Sequence, residues 1–140
     1  MRPPEAPAPL TPLVEDLFRR LPRAGAPEPG TGPWVQGRAG SRREGVELLF
    51  HLQFRPDGTV SDVRFQAFGC PHTLATAAWV AGQLPGRHGT DLVPGSPLDW
   101  AARLEVPAPK LGRLLRIEDA LRAASEDFVA KGVSRAAGAT

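Results

Sequence analysis

The sequence predicts an α+β fold, a three-stranded antiparallel sheet packed against a layer of helices, and three observations carry that prediction. In "GVELLFHLQFR", Val46, Leu48, Phe50, Leu52 and Phe54 alternate with Glu47, Leu49, His51, Gln53 and Arg55, the period of a half-buried strand. "PDG" at 56–58 is a tight-turn signal, and "TVSDVRFQAF" continues with Val63, Phe65 and Ala67 on one face and Asp62, Arg64 and Gln66 on the other. The two segments therefore form an antiparallel hairpin with one core face. Further along, the apolar spacing changes to three and four, the period of helices. A third strand drawn from the segment before Gly45 brings the sheet to the minimum for independent stability.

In chain order, residues 1–10 read as a flexible, proline-rich arm. Thr11 as cap and Pro12 at the first helical position open a helix in "TPLVEDLFRRL", with Leu13, Leu17 and Leu21 as its apolar stripe. "PRAGAPEPGTGP" breaks that helix and leads to a short strand around Trp34 to Arg38. After the hairpin, Pro71 stands where a helix begins, and "PHTLATAAWVAGQL" repeats apolar residues at Leu74, Ala77, Ala78, Ala81 and Leu84. "GRHGTDLVPGS" is a loop, and Ser96 with Pro97 opens a short helix in "PLDWAARL". "EVPAPK" is a proline-stiffened connection to a last helix whose core stripe is Leu114, Ile117, Leu121, Ala124 and Phe128. Residues 131–140 read as a flexible tail, which leaves 11–130 as a single domain.

A chain of 140 residues holds one core. Seventeen basic against fifteen acidic residues give a charge of only +2, and the short pairs Arg19-Arg20 and Arg42-Arg43 do not make the concentrated basic face that a nucleic acid requires. No apolar run approaches the roughly 20 residues of a membrane helix, and "MRPPEAPAPL" has no apolar stretch of the secretory kind. One cysteine cannot form an internal disulfide. The reading is a cytoplasmic protein with neither nucleic-acid nor membrane partners.

That cysteine, Cys70, is the first candidate for chemistry. It lies between the end of a strand and the start of a helix, where unpaired N–H groups and the helix dipole favour a thiolate. Such a thiolate can ligate metal, accept sulfur or attack an electrophile, and the alternative is a buried cysteine acting as a small hydrophobe. His72 falls in the first helical turn, close enough to serve as a nitrogen ligand or a base. A zinc site asks for three or four ligands, and His51, on the polar strand face, and His88, in a glycine-rich loop, read as solvated. Trp79 and Trp100 read as core packing, and the glycines of "GTGPWVQGRAG" match no phosphate-binding spacing.

The span "DGTVSDVRFQAFGCPHTLATAAWVAGQLPGR" resembles the central block of the IscU/NifU-type iron–sulfur cluster assembly scaffolds, where a strand ending in Gly-Cys leads into a helix of small residues. "LEVPAPKLGRLLRIEDALRAA" is similar to the family's Leu-Pro-Pro-Val-Lys, His-Cys-Ser and Glu-Asp-Ala-Ile stretch, and "PLVEDLFRRLPRAGAP" echoes its N-terminal helix. The resemblance implies the IscU/NifU N-terminal fold, a three-stranded sheet on helices. It also implies assembly of a transient cluster on three cysteines, with an aspartate and a histidine, fed by a cysteine desulfurase and relieved by an Hsp70-type chaperone. The middle cysteine corresponds to Cys70. The best register places Glu44 at the first cysteine, Val46 at the aspartate, and Gly112 and Arg113 at His-Cys. Two of the three ligand cysteines are absent. The candidate metal ligands are therefore Cys70 first, then His72 and Glu44. Val106, Pro107, Ala108, Pro109 and Lys110 correspond to the family's chaperone motif.

The expected function is that of a non-enzymatic, divergent scaffold binding iron or an iron–sulfur cluster through Cys70, with zinc as the other metal. Two alternatives stand beside it. One is a protein-binding module that kept the fold and lost the site. The other is a single-thiol acceptor of persulfide sulfur, since one accessible thiolate suffices for that chemistry.

Overall fold

A computed structural model describes residues 10–28 and 33–132 of the chain. The arm expected over 1–10 and the tail expected over 131–140 lie almost wholly outside those residues. Helix α1 spans Pro12–Arg20, strands β1, β2 and β3 span Val35–Ser41, Val46–Phe54 and Val60–Phe68, and helices α2, α3 and α4 span Pro71–Gly82, Pro97–Leu104 and Leu111–Lys131. Short 3-10 turns at Arg42–Glu44 and Ala108–Lys110 precede β2 and α4.

The sheet is antiparallel in the order β1-β2-β3. Its first ladder runs from Val35 opposite Leu52 to Ser41 opposite Val46, so β1 extends three residues beyond the expected Arg38. Gly37 and Gly40 hid the extension, because glycine weakens any strand signal. The second ladder pairs Phe50 with Phe65 and Leu52 with Val63, then slips at Gln53 and Phe54, where Phe54 meets Val60. The bulge puts Val60 back on the core face, where it is fully buried beside Val63 and Phe65.

Helix α1 starts as its sequence dictates. The Thr11 hydroxyl accepts from the Val14 N–H at 3.3 Å. Its buried face differs from the expected one, however: Val14 and Leu17 are buried, while Leu13 is 40% exposed. With only nine residues, the helix turns toward α2 the stripe that begins at Val14. Ser96 caps α3 by accepting from Asp99 N–H at 3.2 Å, and Trp100, fully buried, donates its indole N–H to the Pro94 carbonyl at 2.6 Å.

Helix α4 lies across β1 and β2 with Leu114, Ile117, Leu121, Ala124 and Phe128 buried, as the spacing predicts. Contact with β1 is close because Gly37 faces Ala120 and Ala124; a Cβ there would run into the helix backbone. Helix α2 is buried on most of its circumference, with His72, Thr73, Ala75, Thr76, Ala77, Ala78, Val80 and Ala81 all inside. Small residues allow it to sit between α1 and the sheet edge. This packing fixes the corner at which β3 hands the chain to α2.

His51 corrects the sequence reading. Only 4% of it is exposed, and its Nε2 lies 2.9 Å from Gln66 Oε1 while its Nδ1 lies 3.3 Å from Gln36 Nε2. Two cross-strand glutamines cover it, so an imidazole on the polar face need not be wet. His88 is half-buried against the edge of Phe128 and bonds to Thr90.

Candidate functional site

Cys70 is the N-cap residue of α2, in extended conformation at φ −78° and ψ 167°, and its carbonyl accepts the first helical bond from Leu74 N–H at 3.0 Å. Pro71 at the next position fixes the chain for the helix and removes one orphan donor. Gly69 completes the corner. A Cβ at Gly69 would stand 3.1 Å from the Thr73 side chain, so the glycine lets Thr73 fold back on the cysteine. The Thr73 hydroxyl is 3.3 Å from Cys70 Sγ.

The second wall comes from the segment that leads into α4. The 3-10 turn Ala108–Lys110 swings the Lys110 ammonium to 3.8 Å from Cys70 Sγ and 3.2 Å from His72 Nδ1. Arg113, in the first turn of α4, adds its charge to the field at the sulfur. Burial pushes the half-buried Cys70 thiol up, but Thr73, through its hydroxyl and its backbone N–H, together with Lys110 and Arg113, outweighs burial and holds it below the ordinary 9.0. His72, 2% exposed, is shifted below 6.5 by burial and by Lys110, so it is neutral at neutral pH.

The structure thus unites Cys70, His72 and Lys110, and leaves Glu44 outside. Glu44 accepts from Arg116 at 2.9 Å, and the Ser41 hydroxyl stands 3.1 Å from its other oxygen. Val106 is buried and Lys110 turns toward the cysteine, while Ala108 and Pro109 are exposed and Pro107 partly so. Thr73 and the approach of Lys110 to Cys70 were missed by sequence reasoning. A lysine 40 positions from a cysteine carries no local signal.

The donor set does not fit a cluster held by this chain alone. Iron in such a cluster wants several soft thiolates, whereas one thiolate stands here with an ammonium and a guanidinium acting on it. Among the described residues, no group of three or more His, Cys, Asp or Glu is placed to hold a metal ion. None of the described helices is long and apolar enough to cross a membrane.

What the arrangement can do is hold an anion on sulfur. It follows that alkylation of Cys70 by iodoacetamide should rise with pH about a midpoint below 9.0, because the lowered value means the thiolate is populated earlier than in an unstructured peptide. A rate profile of the folded protein against the same protein in denaturant checks this. Coincident midpoints would refute it.

Comparison with known proteins agrees with the fold. Residues 14–135 match the family described as the NifU-like N terminal domain. The iron–sulfur cluster assembly scaffold protein IscU of Escherichia coli K12 is 26% identical over 95 residues, covering 68% of this chain and 74% of that protein. Iron sulfur cluster assembly protein 1, mitochondrial, of Kluyveromyces lactis is 26% identical over 119 residues, covering 84% of this chain and 61% of its own length. Among solved structures, a protein described as an iron–sulfur cluster assembly scaffold for the SUF system of Fervidobacterium islandicum AW-1 superposes with a TM-score of 0.56 at 14% identity, covering 79% of this chain and 95% of that one. The N-terminal part of a nitrogen-fixing NifU-like protein from Brucella abortus gives 0.52 at 15% identity, covering 90% and 94%. At such identities the two structures speak for the fold alone.

Proposed function

The chain belongs to the NifU-like N terminal domain family of iron–sulfur cluster assembly scaffolds, and from that premise we propose that it serves cluster assembly as a single-thiol acceptor of sulfur at Cys70. The observation that carries the proposal is that Cys70 stands as the chain's one thiol, with the Lys110 ammonium 3.8 Å from its Sγ and with Arg113, at the position the register gives to the family's third cysteine, adding its charge. A guanidinium at a ligand position opposes iron, and the two cations together favour a sulfur anion.

The step is a transfer of sulfane sulfur. The Cys70 thiolate attacks the terminal sulfur of a persulfide on a donor protein, and a new S–S bond forms at Sγ. The donor's S–S bond breaks and its thiolate leaves, so one sulfur atom moves with no net change in oxidation state or proton count. The Cys70 persulfide anion that results keeps the same cation beside it. A cysteine desulfurase is the donor class this chemistry asks for, and the protein is a carrier, not an enzyme. A reducing compartment such as the cytoplasm suits a thiol that must stay free.

A second reading is capture of an Hsp70-type chaperone by the segment from Val106 to Lys110, favoured by the exposure of Ala108 and Pro109. It requires the segment to leave its place, since Val106 is buried and Lys110 is committed to Cys70 and His72.

Incubation with a cysteine desulfurase and free cysteine should add the mass of one sulfur atom to a peptide containing Cys70, and Cys70→Ser should abolish it. Anaerobic incubation with iron and sulfide should give no cluster absorption. An unmodified Cys70 in the first experiment, or cluster absorption that needs Cys70 in the second, would sink the proposal.

A further inference from the structure

We infer that His72 is a positioning residue for Cys70, acting through Lys110: it holds the ammonium against the thiolate. This rests on the reading of Cys70 as the working thiol. Lys110 has a long, flexible side chain, and a lone ammonium near the surface is normally dispersed among rotamers in water. Here its Nζ is 3.2 Å from His72 Nδ1 and 3.8 Å from Cys70 Sγ. An ammonium only donates, so the Nδ1 facing it is the lone-pair nitrogen and the ring proton sits on Nε2. A neutral imidazole is thus an acceptor aimed at Lys110, and it pulls the cation to the cysteine's side.

His72 is fixed well enough for the task. It is 2% exposed, in the first turn of α2, and its own carbonyl accepts from the Thr76 hydroxyl at 2.6 Å. Of the charged groups, Lys110 on the 3-10 turn bears on His72, and Lys110 with Arg113 on α4 bears on Cys70. Remove the acceptor and the ammonium is held by the sulfur alone, which at 3.8 Å is a weak partner whenever the thiol is protonated, so the cation spends more of its time in water. The position offered a sequence reader a metal ligand or a base. The geometry offers a hydrogen-bond acceptor two residues from the nucleophile, joined to it by a lysine from another element.

The test is the rate of Cys70 alkylation by iodoacetamide, compared under one condition for wild type, His72→Leu, His72→Asn, Lys110→Met and the double variant His72→Leu/Lys110→Met, each verified folded by circular dichroism. His72→Leu should slow alkylation several-fold, close to the rate of Lys110→Met. His72→Asn, whose Oδ1 stands where Nδ1 stood, should keep most of the wild-type rate. The double variant should be no slower than Lys110→Met alone, because the two residues act in series. A wild-type rate in His72→Leu, or an equal further slowing in the Lys110→Met background, would overturn the inference. If His72→Leu does not fold, His72→Ala takes its place: a wild-type rate there overturns the inference, and a slowed rate beside a retained one in His72→Asn supports it. Because the probe is a small alkylating agent, the result does not depend on sulfur transfer, whose own failure would show only as an unmodified Cys70 with the desulfurase.

Discussion

Replacing Gly37 by alanine should destabilise the protein by about 3 kcal/mol or more, the upper part of the range for forced overpacking. Gly37 lies on the core face of β1, opposite Phe50 in the ladder. Helix α4 rests on it so closely that an added Cβ would fall inside contact distance of the Ala120 carbonyl oxygen, the Ala124 amide nitrogen and the Ala124 Cβ. Two of these atoms are backbone, and no rotamer change relieves them. The helix would have to lift from the sheet, opening the layer that buries Leu121, Ala124 and Phe50. In a domain of this size the expected fall in Tm is on the order of 10 °C. Gly112→Ala is the internal control. Gly112 stands near the start of α4 with nothing within 4 Å of the added atom, so there the gain in helix propensity should raise stability by roughly 0.5–1 kcal/mol. Thermal unfolding followed by circular dichroism measures both, and equal signs for the two would refute the argument.

Gly37 also shows where the sequence stops being readable. Alternation in β2 and β3 comes from large apolar side chains, so the hairpin and its core face were legible residue by residue. Strand β1 is "VQGRAGS", whose core face is valine, glycine, alanine and serine, and its partner's bulk replaces its own. A strand that is buried because a helix comes close leaves almost no hydrophobic trace. His51 is the same lesson on the other face. Its cover is Gln36 and Gln66 from the flanking strands, which only the register brings together.

The site divides along the same line. The Gly-Cys corner was legible because local chemistry dictates it: a strand ends, a proline starts a helix, and the cysteine must cap it. Lys110 could be assigned to a motif but not to Cys70, since the contact is made by the fold that carries the 3-10 turn back over the start of α2. Glu44 has the opposite history. Register placed it at a ligand position, and the structure spends its carboxylate on Arg116 instead.

Reversing the charge at Lys110 should have the largest effect on function that leaves the cysteine in place. In Lys110→Glu the ammonium now 3.8 Å from Cys70 Sγ gives way to a carboxylate. At about 4 Å a unit charge acts on another with about 1 kcal/mol even in bulk water, and with more in a half-buried corner. Exchanging attraction for repulsion counts that interaction twice. Where the thiolate fraction limits the rate, alkylation and sulfur uptake should both slow by about tenfold or more. Arg113 stays in place and limits the loss, so Lys110→Glu with Arg113→Gln should be slower again. Stability should change little, because Lys110 is only half-buried and forms no ion pair with a carboxylate among the described residues. High salt separates a field effect from a lost contact. Added salt should slow the wild type toward the variant by screening the cation, and should speed the variant by screening the carboxylate. Rates that differ between the two proteins but do not converge with salt would mean that Lys110 acts on Cys70 by some route other than its charge.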